Sequence, residues 1–211
     1  MGCWAIVAVK SRVHCKRRLS AVLEPQERLE LVRRMLDHVL AAAAGSTHVD
    51  RVLVVSPERD DLRESIDLVT DAGIGLNEAL ELARGHARAQ GAREIVVLPA
   101  DLPRLATQDV DALIAAGRGA GVAIAPDRRH AGTNALYLPA SADVAFSFGA
   151  RSLHAHIARA RSRGFEPSLI CRAGFEFDLD MPEDLLTPAD LPRPQSMRSR
   201  WSWSNAERRQ P

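Results

Sequence analysis

The sequence predicts an α/β fold in which a mostly parallel central sheet is flanked by helices. Three observations carry this. Residues 4–9, 51–56, 94–98 and 122–125 are near-continuous apolar runs of strand length, as in strands covered on both faces. Segments of helical period separate them, an order that sets strands parallel through crossover connections. A length of 211 residues, 46% of them apolar, suits a single core.

Residues 4–9 open the chain as a buried strand, and a basic loop follows. Pro25, Gln26 and Glu27 begin a helix whose Leu29, Val32, Met35, Leu36, Val39 and Leu40 recur at helical spacing, with the alanines at 41–44 as its end. Residues 51–56 form a strand closed by Pro57. A short acidic helix around 59–64 and a third strand over 66–70 come next. The spacing predicts a helix over 75–90, a strand over 94–98, a helix over 107–116 capped by Thr107, and a strand over 122–125. A strand at 136–138, a helix over 152–163 and short strands at 168–171 and 175–178 complete the sheet. Pro182 suits the first turn of a last helix, and Glu183 and Asp184 suit its positive end. Beyond Leu191 the chain turns to Pro, Ser, Arg and Gln with Trp201 and Trp203. This predicts a domain over 1–191 and a disordered tail over 192–211.

Composition excludes several classes. Cys3, Cys15 and Cys171 are an odd number without metal-ligand spacing, which argues against a disulfide scaffold or a structural zinc site and makes the cytoplasm the expected compartment. The apolar run from Cys3 to Val9 is too short for a membrane span. Residues 192–211 hold five arginines against one glutamate, so with an overall charge of +1 the remainder is near −3, unlike a nucleic-acid binder. No Gly-x-Ser-x-Gly elbow is present, and Gly73-Ile-Gly75 is not a dinucleotide fingerprint.

Ligands of open parallel sheets bind beyond the carboxyl ends of the strands. The chain's only two lysines, Lys10 and Lys16, lie there with Arg18, in a loop suited to phosphate oxygens. Asp101 follows an apolar strand between Pro99 and Pro103, a stiff mount for an acid. Asp178 and Asp180 stand two apart before Pro182, and in extended chain both point one way. Three converging carboxylates repel one another without a cation, so Asp101, Asp178 and Asp180 make sense as an oxygen-lined Mg²⁺ site. Thr133 and Asn134 offer a hydroxyl and an amide to a ligand. The turn from Phe148 through Gly149 to Ser152 offers helix N–H groups to an anion, although Ser152 also reads as a plain helix cap. His130, His154 and His156 read most simply as solvated.

Together these segments resemble the CofC/FbiD guanylyltransferases of coenzyme F-420 biosynthesis. The resemblance runs through Lys10, Lys16-Arg17-Arg18-Leu19, Gly75-Leu76-Asn77 with Ala79-Leu80, and Pro99-Ala-Asp101-Leu-Pro103. It continues through Gly132-Thr133-Asn134, Phe148-Gly149 with Ser152 and His156, and Asp178-Leu-Asp180-Met-Pro182. Arg17 and Met181 depart from the family's usual small residue and threonine. The resemblance implies a GT-A, MobA-like nucleotidyltransferase fold with GTP as donor. It implies two Mg²⁺ ions on Asp101, Asp178 and Asp180, a catalytic role for Lys10, Lys16, Arg18 and Asp101, and substrate contacts from Asn77, Thr133, Asn134, Gly149, Ser152 and His156, with Lys10, Thr133, Gly149 and Ser152 on the acid and its phosphate. The acceptor stays open among 2-phospho-L-lactate, phosphoenolpyruvate and 3-phospho-D-glycerate, with a downstream deazaflavin transferase as partner. The oligomeric state also stays open, a dimer being one option. Two alternatives stand beside this reading: another GT-A-like enzyme of the molybdopterin or sugar-phosphate type, and a non-catalytic module that binds through its basic tail.

Overall fold

A computed structural model of the chain describes residues 2–9, 16–59, 62 and 66–186. Lys10, most of the expected acidic helix around 59–64 and the tail over 192–211 lie outside the described residues. The strands are β1 (Cys3–Ala8), β2 (Arg51–Ser56), β3 (Asp67–Thr70), β4 (Glu94–Pro99), β5 (Ala123–Pro126), β6 (Thr133–Pro139) and β7 (Ser168–Leu169). They form one sheet in the order β3-β2-β1-β4-β6-β5-β7. Every pairing is parallel except those of β6, which runs antiparallel to both β4 and β5.

Two layers of helix cover the sheet. Helices α1 (Pro25–Gly45) and α3 (Thr107–Ala120) lie on one face, where Leu36, Val39, Val110, Leu113 and Ile114 pack with Cys3, Ala5, Val7, Val96 and Leu98. Helices α2 (Leu76–Ala89) and α4 (Ser152–Ser162) cover the other, where Ala79, Leu80, Ala83, Leu153 and Ala160 join Trp4, Ile6, Ile95 and Val97. Alternate residues of β1 and β4 thus reach opposite cores. That is why β1 is apolar throughout and β4 is apolar after Glu94. No described helix is long and apolar enough to cross a membrane.

A third, smaller cluster matters most for function. Leu19 of a 3₁₀ turn (Arg17–Ala21) meets Leu31, Val32 and Met35 of α1 together with Phe177 and Leu179. Burying Leu19 and Leu179 from two distant segments brings the basic loop's end against the arm carrying Asp178 and Asp180.

Three expectations need correction. Thr107 does not cap α3. Its hydroxyl donates to the Ala42 carbonyl at 3.2 Å, and Asp109, one turn into the helix, accepts the Ala106 N–H at 2.9 Å. Residues 175–178 are not a strand. Ala173–Glu176 form one helical turn, and Asn134 takes the Phe175 carbonyl by a side-chain bond of 2.7 Å where a neighbouring strand would have used its backbone. Ser152 is the first residue of α4 rather than its cap, which is Arg151 in the left-handed region at φ 57°.

Candidate active site

The antiparallel strand explains how the site assembles. Val97 of β4 pairs with Leu136 of β6, so the start of β6, Thr133 and Asn134, lies at the edge where β4 runs out toward Asp101. Residues before one strand and after another thus share a single rim.

The carboxylate half of the rim is held by backbone as well as side chain. The Leu179 N–H donates to the Asp101 carbonyl at 3.3 Å and the Arg128 N–H to Glu176 at 3.0 Å, which ties the arm over 175–180 to the sheet. Asp180 and Met181 donate their N–H groups to Asp184, at 2.9 and 2.7 Å, and Arg128 reaches its other oxygen at 3.0 Å. Burial alone would raise the Asp184 pKa, but those N–H groups and the guanidinium outweigh it and hold it below the ordinary value. Asp184, inside the last 3₁₀ turn (Pro182–Leu186), thus takes up the N–H groups that precede the turn, while the Asp180 carboxylate faces Lys16 and Arg18.

Lys16 lies between the acids. Its ammonium donates to Asp101 Oδ2 at 2.7 Å and to Asp180 Oδ1 at 2.6 Å, while exposed Arg18 stands 3.6 Å from the other Asp180 oxygen. Burial works against the Lys16 charge, but the two carboxylates more than compensate and raise its pKa. Lys16 is also held in the left-handed region at φ 46°, a conformation that non-glycine residues adopt at an energetic cost. Burial raises the Asp178 pKa, and the nearby Asp101 and Asp180 charges push the same way. Lys16 thus only partly neutralises the three acids. The donor set, oxygens alone with excess negative charge, fits a hard divalent cation. As placed here, no three His, Cys, Asp or Glu among the described residues close around a point in the manner of metal ligands.

The hydroxyl half lies on β6 and α4. Thr133 donates its N–H to Ser152 Oγ at 2.8 Å, and its hydroxyl meets His156 Nδ1 at 2.9 Å. Thr133, Asn134, Ser152 and His156 are all buried. His156 is not solvated as expected: it is 1% exposed, its Nε2 takes the Ser147 N–H at 2.9 Å, and the Phe148 ring packs edge-on at 4.8 Å. Burial, with Arg159 adding to it, lowers the His156 pKa to about 4. His130 and His154 are exposed.

Asn77 reaches this half indirectly. Its amide donates to the Phe148 carbonyl at 3.1 Å and its oxygen accepts the Phe148 N–H at 2.7 Å. Glu81 accepts the Phe146 N–H at 3.2 Å, and Arg84, paired with Glu81, donates to the carbonyls of Ala142 and Val144. Asn77, Glu81 and Arg84 form one stripe of α2 that fixes the irregular run over 142–148 leading to Gly149. Sequence reading missed Glu81 and Arg84. Their helical spacing, Glu81 four residues after Asn77 and Arg84 three after Glu81, was the available signal.

Residues 3–188 match the family described as guanylyl transferase CofC like. The chain belongs to this family. It is 41% identical over 185 residues to the phosphoenolpyruvate guanylyltransferase of Sphaerobacter thermophilus, covering 86% of this chain and 89% of that protein. The enzyme of the same name from Rubrobacter xylanophilus is 42% identical over 190 residues, with 88% and 92% covered. The 2-phospho-L-lactate guanylyltransferase of Methanothermobacter thermautotrophicus is 37% identical over 186 residues, with 86% and 81% covered. Among solved structures, a protein of Desulfovibrio desulfuricans G20 described as a nucleotide-diphospho-sugar transferase superposes with a TM-score of 0.74. At 19% identity, with 88% and 85% of the two chains covered, it shows the nucleotidyltransferase fold alone. The CofC-like match spans both halves of the rim, from Lys16 to Asp184.

Proposed function

We propose that the chain transfers the guanylyl group of GTP to the phosphate of a small phosphorylated carboxylic acid, with phosphoenolpyruvate as the first choice. The observation that carries this reading is one sheet edge with two chemistries, Asp101 and Asp180 bridged by Lys16 with Asp178 nearby on one side and two buried hydroxyls on the other. Membership of a guanylyltransferase family supports the donor. The relatives from Sphaerobacter thermophilus and Rubrobacter xylanophilus, 41% and 42% identical and both named for phosphoenolpyruvate, support the acceptor.

In the proposed reaction an oxygen of the acceptor phosphate attacks the α-phosphorus of GTP. The bond from that phosphorus to the β-phosphate bridging oxygen breaks, and pyrophosphate leaves with the electron pair. A phosphate oxygen is already nucleophilic at neutral pH, so the chain's task is placement and charge neutralisation rather than proton abstraction. Lys16 and Arg18 would hold the triphosphate, and Lys10, Thr133, Gly149 and Ser152 the acid and its phosphate. Asn134 and Asn77 would position the arm and the 142–148 run. Asp101, Asp178 and Asp180 would hold Mg²⁺, which when bound offsets the negative charge of the phosphates. A cytoplasmic place, delivery of the product to a deazaflavin transferase of coenzyme F-420 synthesis, and a catalytic domain over 1–191 belong to the same reading.

The test mixes protein, GTP and Mg²⁺ with each of phosphoenolpyruvate, 2-phospho-L-lactate and 3-phospho-D-glycerate, and follows pyrophosphate while the downstream transferase traps product. Release with phosphoenolpyruvate is expected. Silence with all three acids would overturn the reading, and preference for another acid would overturn the acceptor alone.

A further inference from the structure

We propose that His156 is a positioning residue whose fixed tautomer makes the Thr133 hydroxyl a hydrogen-bond donor toward the acid substrate. The inference rests on the acid-binding role proposed for Thr133 and Ser152 and adds what makes them bind an anion.

The argument starts from a backbone amide. The Ser147 N–H can only donate, and it points at His156 Nε2 from 2.9 Å, so Nε2 must present its lone pair. The neutral ring then carries its proton on Nδ1. That proton faces Thr133 Oγ1 at 2.9 Å, so the hydroxyl accepts there and keeps its own hydrogen. The opposite tautomer would consume the Thr133 hydrogen on Nδ1 and turn an oxygen lone pair outward, toward the carboxylate or phosphate of a ligand. The tautomer therefore sets the sign of the contact. Ser152 follows the same logic, since its Oγ accepts the Thr133 N–H and its hydrogen remains for a second acceptor.

Several features keep the ring in this state. His156 is 1% exposed, and the Phe148 ring stands against it at 69°. The amide that reads Nε2 belongs to the run over 142–148, which Asn77, Glu81 and Arg84 pin to α2. Burial, and then Arg159, oppose the imidazolium. The position of a loop over α2 is thereby converted, through one ring, into the polarity of a hydroxyl on β6. His156 donates nothing to the ligand itself.

The experiment has two arms. In the first, long-range ¹H–¹⁵N spectra of the full chain should show a neutral His156 protonated on Nδ1 at pH 7. An Nε2–H ring or an imidazolium would overturn the proposal. In the second, Kd and KM for phosphoenolpyruvate are measured in His156→Ala, His156→Asn, Thr133→Val and the two double variants. His156→Ala should raise both constants for the acid about tenfold, the worth of one bond to a charged group, while KM for GTP stays within about twofold. His156→Asn, whose amide can donate from the Nδ1 side, should recover part of the loss. In the Thr133→Val background neither change should matter by more than about twofold. Equal effects with and without Thr133, or parallel loss of GTP and acid binding with Tm, would reduce His156 to packing and overturn the proposal. A wild-type chain that binds none of the three acids would instead overturn the functional reading beneath it.

Discussion

Asp178 is a carboxylate placed where a carboxylate is least comfortable, part-buried beside Asp101 and Asp180. Its folded pKa is raised, so its contribution to stability is fullest below the ordinary carboxylate value and is lost as pH rises through the folded value. Asp178→Asn is therefore expected to stabilise the apo protein at pH 7, by an amount that shrinks as pH is lowered. Because the side chain is partly exposed, solvent screening limits the gain to the order of 1 kcal/mol or less. Denaturant unfolding at a series of pH values measures it. Asp101→Asn should lower the Asp178 pKa, which carboxyl NMR reads directly. It should also cut turnover on the order of a hundredfold or more while leaving Tm unchanged or higher. Marked unfolding of Asp101→Asn would identify Asp101 as structural.

At the scale of elements, the site is two loops docked on helices. Leu19 is fully buried in the cluster of α1 residues and Phe177 that brings Lys16 to Asp180. Leu19→Ala should cost about 2–5 kcal/mol and weaken GTP binding, as thermal melts and nucleotide titration would show. An unchanged affinity for GTP would mean that the cluster does not position the basic loop. On the other side, Asn77 satisfies both backbone groups of Phe148. Asn77→Ala leaves those groups without protein partners, at a cost of about 1–3 kcal/mol, and should raise KM for the acid more than KM for GTP. Helix placement is equally exacting at α3, where a Cβ on Gly117 would overlap the Tyr137 ring on β6. That glycine lets the helix lie close over the antiparallel strand.

For the whole molecule, His156 contributes a pH dependence of the opposite sign to Asp178. Its pKa falls from 6.5 to about 4 on folding, so its stabilisation is complete above 6.5 and is lost as pH drops toward 4. The loss is on the order of 3 kcal/mol across that window. His156→Asn should flatten the stability curve between those limits relative to wild type, and a curve of unchanged slope would contradict the burial argument. Removal of residues 192–211 should leave turnover as it is, since every named site residue precedes them and the family match ends at residue 188. An inactive truncated chain would place part of the site in the tail.

The fold class was legible in the chain alone, and so were candidates for the rim such as Lys16, Asp101, Asp180 and Thr133. Double-sided burial leaves continuous apolar runs, and scarce residues such as the two lysines and the paired aspartates stand out against an arginine-rich background. Local composition reports local environment, and those features are local. Which residues meet was decided only by tertiary structure. The direction of β6 carries no signature in its seven residues, yet it brings Thr133 to the edge reached by Asp101. The burial of His156, the two hydrogen bonds of Asn77 to Phe148 and those that Asp184 accepts depend on partners three to 71 residues away. A side chain's hydrogen-bonding role is set by what faces it, and only the folded chain fixes that.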